Sequence, residues 1–261
     1  MAKRQPTFSE SLIVARNRGA TSEAPNLWNG LVSNYDCLQG GGSTLYDIAG
    51  GNHLALTIDA SADWKVNEYG HYVDMAVTTK YMHGGTWPDV ADSGSIVMRM
   101  NWDFASTIKY AITHYASNRI YLQQAGSLWK YRLGNSALQS TGVATAADRW
   151  DHVALTWDGS TARFYFNGTE EHNSAYIGLT TLANDLYIGS LNGGVLGGLR
   201  VANAAVWNRA LTPSEIQQLY EDPHAMHRLR PVSVAFVDAG GAPSASIAPA
   251  AYHQAQMAGA L

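Results

Sequence analysis

The sequence has little that titrates and almost nothing that could staple it. Only 15% of its 261 residues are charged, and 17 Lys plus Arg against 21 Asp plus Glu leave a net charge of −4. A chain without a basic surplus offers no electrostatic footprint to a nucleic-acid backbone, so nucleic acid is not an expected partner. Cys37 is the single cysteine. It rules out an intrachain disulfide, leaves stability to core burial, and is expected to be buried and inert. No apolar run approaches the roughly 20 residues that span a bilayer, and no membrane partner is expected. The N-terminal apolar run Leu12 to Ala15 is too short for a signal peptide, and Arg16 and Arg18 follow at once.

Motifs that carry chemistry are missing as well. There is no Gly-x-Ser-x-Gly elbow, no catalytic signature surrounds Cys37, and the nine histidines include no HExxH pair. His224 and His227 are three apart but follow Pro223, and they read as surface or interface residues rather than metal ligands. The acidic residues are scattered, and Glu170 and Glu171 are adjacent. Alternation along a strand is what would put two carboxylates on one face for glycoside hydrolysis, so that run is absent. The reading is a protein that is not an enzyme, with no catalytic residues.

What is present favours strands. Apolar residues make up 46%, and Gly 25, Tyr 14 and Trp 8 suit short strands joined by tight turns. Ile96, Met98, Met100 and Trp102 alternate with Val97, Arg99 and Asn101, which predicts a half-buried strand. Val153, Leu155 and Trp157 alternate likewise; Asp158-Gly159 then supplies a turn, and Ala162, Phe164 and Phe166 resume until Asn167-Gly168. That predicts a hairpin, and it makes the sequon Asn167-Gly168-Thr169 a turn. Further short runs lie at Tyr121-Leu122, Leu128 to Leu133, Leu186 to Ile188 and Val206-Trp207. One helix is predicted at 212–220: Thr212 caps it, Pro213 opens it, Glu215 completes a capping box, and Ile216, Leu219 and Tyr220 form its apolar stripe. Pro223 helps to end it.

The ends differ from the middle. Residues 1–25 are polar and lack an apolar period, while the chain beyond His224 turns basic at Arg228 and Arg230 and then becomes rich in Ala, Gly, Ser and Pro. The expected organisation is an N-terminal arm (1–25), one body (26–224) and a C-terminal tail (225–261), with arms that become ordered on contact with a partner.

Arg149 to Gly159 followed by Phe164 to Gly168 resembles the paired central strands of laminin-G-like domains. Leu186 to Gly189, Gly198, and Val206 to Thr212 with Glu215-Ile216 and Leu219-Tyr220 are similar to that family's last strand and closing helix. Leu45-Tyr46-Asp47, Gly50 to His53, Asp63-Trp64 and Tyr72 to Asp74 resemble its opening. The resemblance covers residues of about 26 to 222, loosely over 76–148. It implies an all-β, concanavalin A-like jelly-roll sandwich of two antiparallel sheets with one short C-terminal helix and extended terminal arms. Versions with this opening, no export signal and a basic end are similar to proteins of tailed-phage virions. That implies a non-catalytic structural protein, a capsid decoration or tail-associated protein, made in the host cytoplasm and located in the virion. Its implied partners are a major capsid or tail protein, itself as a homo-oligomer, and host surface glycans. Arg16, Arg18, Arg228 and Arg230 are the candidate anchoring residues of the arms. The alternative is a stand-alone carbohydrate-binding lectin-like module, with a glycoside hydrolase a more distant third.

Two ligand sites are open at this level. Many relatives hold one Ca2+ through an early loop and the last strand, which transfers to Asp47, Asn52 and Asn203; the competing reading is that Asp47 and Asn52 merely cap a glycine turn by local hydrogen bonds. For a sugar, the stretch from Tyr81 to Asp89 reads as a loop that mixes aromatic and polar groups, with Trp87, His83 and Asp89 as candidate ligand-binding residues. The competing reading places Trp87 on the sandwich edge or a neighbouring subunit. Trp150, Trp157, Trp207 and Phe164 are expected in the core.

Overall fold

The computed structural model describes residues 22, 24–57, 63–68, 70–75, 80–86, 90, 93–103, 108–114, 119–176, 178–179, 185–196 and 198–227. The first half of the chain forms strands β1 (Leu31–Asp36), β2 (Thr44–Leu45), β3 (Leu54–Leu56), β4 (Trp64–Asn67), β5 (Gly70–Met75), β6 (Met82–Thr86), β7 (Gly94–Trp102), β8 (Lys109–His114) and β9 (Arg119–Ala125). The second half adds β10 (Leu128–Gly134), β11 (Gln139–Ala144), β12 (Trp150–Trp157), β13 (Thr161–Phe166), β14 (Thr169–Ala175), β15 (Asp185–Ile188), β16 (Ser190–Leu191), β17 (Val195–Leu196) and β18 (Leu199–Trp207). Two α-helices flank them, α1 (Pro25–Trp28) and α2 (Pro213–Glu221).

The strands make two eight-stranded antiparallel sheets. Sheet 1 runs β14-β13-β12-β7-β18-β5-β4, with β1 added to the second half of β18; sheet 2 runs β11-β10-β9-β8-β15-β6-β3-β2. The hairpin β16–β17 is a separate two-stranded sheet that packs on β8, where the Thr113 hydroxyl donates to the Ser190 carbonyl at 2.8 Å. This is the expected all-β jelly-roll sandwich. Its core lies between the sheets, where Trp102 and Phe164 of sheet 1 meet Trp129 of sheet 2 with ring centroids 5.3 and 6.1 Å from that indole. Cys37 is fully buried in it, its thiol donating to the Val201 carbonyl at 3.3 Å, and burial raises the pKa of that thiol.

The predicted hairpin is β12–β13. Asp158 Oδ1 accepts from the amides of Ser160 and Thr161 at 3.0 and 2.8 Å, which fixes its turn. Asn167 and Gly168 then turn into β14 with φ of 48° and 85°, the paired positive values that a tight hairpin turn needs. The strand predicted as half-buried is β7. Ile96, Met98, Met100 and Trp102 point to the core as expected, but all nine of its residues are buried, because Val97 on the other face packs under α2 with Ala154, Trp207, Ile216 and Leu219. Gly94 at its start lies against the Trp157 indole on the neighbouring strand, where a β-carbon would collide.

Helix α2 begins as predicted, with Thr212 and Glu215 forming a reciprocal capping box and Pro213 in the first turn. Arg209 also grips Glu215 through both terminal nitrogens, at 2.8 and 2.7 Å. These hydrogen bonds overcome the cost of burying the Glu215 carboxylate and lower its pKa to about 2. Of the tryptophans assigned to the core, Trp157 and Trp207 are fully buried, although Trp207 belongs to the second core beneath α2. Trp150 is not in the core: it is half-buried, with its ring edge-on to Tyr72 at 5.2 Å, because it opens β12 at the rim of the sandwich.

The packed body reaches past both expected boundaries. Ser22 and Ala24 are buried ahead of α1, and Ala225 and Met226 are buried after α2. Ser22 Oγ and Trp28 Nε1 both donate to the Met226 carbonyl, at 2.9 and 2.8 Å, so the two ends of the described body meet.

Candidate functional site

The outer faces of the two sheets are built differently. Sheet 1 turns Val97, Ala154, Tyr165, Ala205 and Trp207 outward, and α1, α2 and the turn after it bury them in a second apolar core. Sheet 2 turns out polar and aromatic residues, and the closing helix is not on that side. Alternation defines its outward set: Met82, Leu186 and Ile188 are buried in the main core, so Tyr81, His83 and Tyr187 face away from it.

Those three side chains form a partly exposed aromatic platform. His83 on β6 pairs in register with Tyr187 on β15, and their rings lie near-parallel with centroids 5.8 Å apart. Tyr81 approaches His83 at 5.5 Å and Tyr187 at 6.2 Å. Two constraints hold Tyr81 in place. Its amide donates to Thr57 Oγ1 at 2.8 Å, and Thr57 Oγ1 donates back to its carbonyl at 2.8 Å. At the tip of the β16–β17 hairpin, Gly193 comes close enough that a β-carbon there would sit 3.3 Å from the Tyr81 hydroxyl. Burial, then the nearby charge of Asp185, raises the pKa of the Tyr187 phenol. It remains a neutral group that can both donate and accept. A half-buried cluster of stacked and tilted rings that carries hydroxyl and imidazole groups offers a sugar both apolar and hydrogen-bonding contacts.

The stretch from Tyr81 to Asp89 was expected to be a loop. Its first part is instead strand β6, inside sheet 2, and this places His83 beside Tyr187. Trp87 and Asp89 lie outside the described residues, as do Arg16, Arg18, Arg228 and Arg230. Tyr187 was missed by reading along the sequence. Its signal was its alternation with Leu186 and Ile188, but the pairing with β6 that makes it part of a platform is a contact over about a hundred residues.

The residues transferred as a calcium site do not converge on a cation. Asp47 is fully buried, and its Oδ1 accepts from the amides of Asn34 and Ala49 at 2.8 and 3.0 Å while Oδ2 accepts from Asn52 at 3.3 Å. Three N–H hydrogens therefore point at the carboxylate that a hard cation would need, and the turn-capping reading fits this geometry. Asn203 is elsewhere, under α2, with its Oδ1 accepting from the Arg99 amide at 3.2 Å. The set does not fit calcium. His224 and His227, expected as surface or interface residues, are partly exposed and converge on one oxygen of buried Asp36, at 2.9 and 3.2 Å, and lower the pKa of its carboxyl against the effect of burial. Among the described residues no group of three His, Cys, Asp or Glu is disposed to hold a metal ion.

The family follows from fold and sequence together. A profile of the Laminin_G_3 family, described as the concanavalin A-like lectin/glucanases superfamily, matches residues 86–217. The chain belongs to this family. No curated protein matches its sequence. Among solved structures, the chain is similar to Trypanosoma rangeli sialidase in complex with sialic acid, with a TM-score of 0.62 and 15% identity over 84% of this chain and 39% of that one. It is also similar to the receptor binding domain of botulinum neurotoxin C/D mosaic serotype, with a TM-score of 0.57 and 12% identity over 80% of this chain and 54% of that one. The chain thus spans from about two fifths to about half of these proteins, and at such identity the likeness is one of fold.

Proposed function

We propose that this protein is a carbohydrate-binding module that acts without catalysis, and that the Tyr81–His83–Tyr187 platform on the outer face of sheet 2 is its binding site. The observation that carries this reading is the platform itself, three rings held side by side on the sheet face that α2 leaves uncovered. The family and the two sialic-acid and receptor-binding neighbours agree with such a role. The strands of sheet 2 contain one carboxylate, Asp185, whereas glycoside hydrolysis by the usual route takes two flanking the bond.

The test is a glycan array probed with the full chain and with Tyr187→Ala. The full chain is expected to retain a defined set of oligosaccharides and the variant to lose them while keeping its circular dichroism spectrum. Unchanged retention by Tyr187→Ala would place the site elsewhere.

A second reading concerns how such a module is displayed. Because Ser22 and Trp28 are both bonded to Met226, the segments 1–21 and 228–261 leave the body from one patch, on the helix-covered side. That arrangement suits a module fastened by its ends, to copies of itself or to a lattice such as a virion surface, with sheet 2 facing outward. A chain cut to residues 22–227 is then expected to bind glycan normally and to fail to assemble.

A further inference from the structure

The outer face of sheet 2 is accessible on one side of the aromatic platform and closed on the other. Towards β8 it is closed: Tyr187 stands opposite Thr113, which is fully buried with its hydroxyl on the Ser190 carbonyl of the β16–β17 hairpin. Towards β3 and β2 it stays accessible. His83 stands opposite Ala55, and Ala55 opposite Thr44. Leu45, Leu54 and Leu56 fill the main core, so Thr44 and Ala55 point outward with His83; Ala55 is exposed and Thr44 half-buried.

A second ring pair bounds this side. Tyr46 follows β2, His53 precedes β3, and the register that sets Leu45 opposite Leu54 brings the two together. Their rings meet edge-on with centroids 5.0 Å apart; His53 is exposed and Tyr46 half-buried. The Asp47 amide donates to His53 Nδ1 at 3.1 Å. A ring nitrogen that accepts a backbone hydrogen carries none of its own, so the proton of this imidazole sits on Nε2 and the exposed ring offers an oriented donor.

The floor between the two ring clusters is made of small side chains, Ala55 and Thr44. Three inter-strand steps and two residues along the strand separate Tyr187 from Tyr46, roughly 16 Å between their backbones. That span exceeds one sugar ring and suits an oligosaccharide. Charge narrows the class. Strands β2, β3, β6 and β15 contain no Lys or Arg, and their one carboxylate is Asp185 at the start of β15. Lys80, just ahead of β6, is held by Asp63 at 2.5 Å. An acidic sugar would meet no cation on these strands and would face Asp185, whereas hydroxyl and imidazole groups match the hydroxyls of a neutral one.

We propose that a neutral oligosaccharide lies across β15, β6, β3 and β2, with one sugar on Tyr81, His83 and Tyr187, another on Tyr46 and His53, and Ala55 and Thr44 beneath the linkage between them. This rests on the glycan-binding reading and extends its site by a second subsite. Two linked contacts raise affinity together, because the first holds the second sugar at high local concentration.

The test is titration of glucose, mannose and galactose and of their oligosaccharides, with sialylated and uronate-bearing oligosaccharides alongside. The proteins are the full chain, Tyr46→Ala and His53→Gln, each checked by circular dichroism; if Tyr46→Ala fails to fold, His53→Gln reads the same subsite. Neither side chain belongs to the main core. The full chain is expected to bind a neutral oligosaccharide about tenfold or more tighter than its monosaccharide, and both variants to lose that advantage. Equal affinity for short and long sugars, or an advantage kept by the folded variants, would overturn the second subsite and leave the platform standing as a binding site. Tighter binding of the acidic oligosaccharides would overturn the neutral class. Binding of no saccharide would overturn both this proposal and the reading on which it rests.

Discussion

The outer faces of sheet 1 and sheet 2 belong to the same fold and differ in what lies on them. Strands β7, β12, β13 and β18 turn out Val97, Ala154, Tyr165 and Trp207, and a helix of nine residues closes over them. Strands β6, β10 and β15 turn out His83, Tyr187, Lys130 and Arg132, half-buried residues whose polar tips can stay hydrated, while Thr113 on β8 lies buried against Ser190 of the β16–β17 hairpin. The inward residues of both sheets are alike. The lesson is that in a two-layer sandwich the function is written in the outward half of the alternation, and only on the sheet that nothing else needs for its core.

The comparison breaks most severely at Trp207. Its indole is fully buried beneath α2 and donates to the Leu27 carbonyl at 2.7 Å, so it ties both flanking helices to sheet 1. Replacement by Ala is expected to cost about 3–5 kcal/mol in urea denaturation, the range for large core truncations. A cost under about 1 kcal/mol would mean that the second core adds little and that sheet 1 could have been left bare.

The next effect comes from a residue buried on the same side. His152 is 2% exposed, neither ring nitrogen has a hydrogen-bond partner among the described residues, and its ring packs against Tyr220 of α2 with centroids 5.7 Å apart. Burial, and then the neighbouring Arg99 charge, lower its pKa from 6.5 to about 3. The unfolded chain therefore binds a proton below about 6.5 that the folded chain refuses until about 3. Stability tied to this group is complete above pH 6.5 and is lost progressively as the pH falls towards 3. At pH 5 the chain is expected to be about 2 kcal/mol less stable than at pH 7.5, since each pH step of one below the unfolded value costs about 1.4 kcal/mol. His152→Gln should flatten that slope; an unchanged slope in the variant would assign the acid sensitivity to another group.

A smaller effect is expected at the start of α2. Thr212→Ala removes the hydroxyl that accepts from the Glu215 amide at 3.3 Å, and with it half of the capping box. The cost should be about 1 kcal/mol, read as a shift in denaturation midpoint. Because Arg209 grips the Glu215 carboxylate independently, Thr212→Ala is expected to leave the helix in place on sheet 1.

Much of the sandwich was legible because its signals are local. The alternation of Ile96 to Trp102, the Asp158-Gly159 turn and the Thr212–Glu215 box each depend on residues a few positions apart, and each is formed. What was not legible depends on long-range pairing. Alternation shows that β7 has two faces, but not that α2 covers the second, so a strand buried on both sides was read as half-buried. The mixture of aromatic and polar groups made 81–89 look like a loop, whereas β6 is held between β3 and β15 by hydrogen bonds to distant strands. For Asp47 and Asn52 spacing left two readings open, a cation loop and a capped turn, and only the geometry shows backbone amides on the carboxylate.

The smallest effect on stability should come with the largest effect on binding, at Tyr187. It is only half-buried, its neighbours Leu186 and Ile188 carry the core contacts, and its ring touches Tyr81 and His83 rather than anything beneath the sheet. Tyr187→Ala is therefore expected to lower stability by less than about 1 kcal/mol, as a surface substitution does, despite the loss of a whole ring. Against Trp207→Ala, measured under the same conditions, this separates two outward aromatics on two sheets by what lies over them. If both variants lost stability alike, the platform would be a third core rather than a surface kept open for a ligand, and the difference between the two faces would vanish. A stable Tyr187→Ala that no longer retains glycan would instead show that the protein maintains these rings for contact with something other than itself.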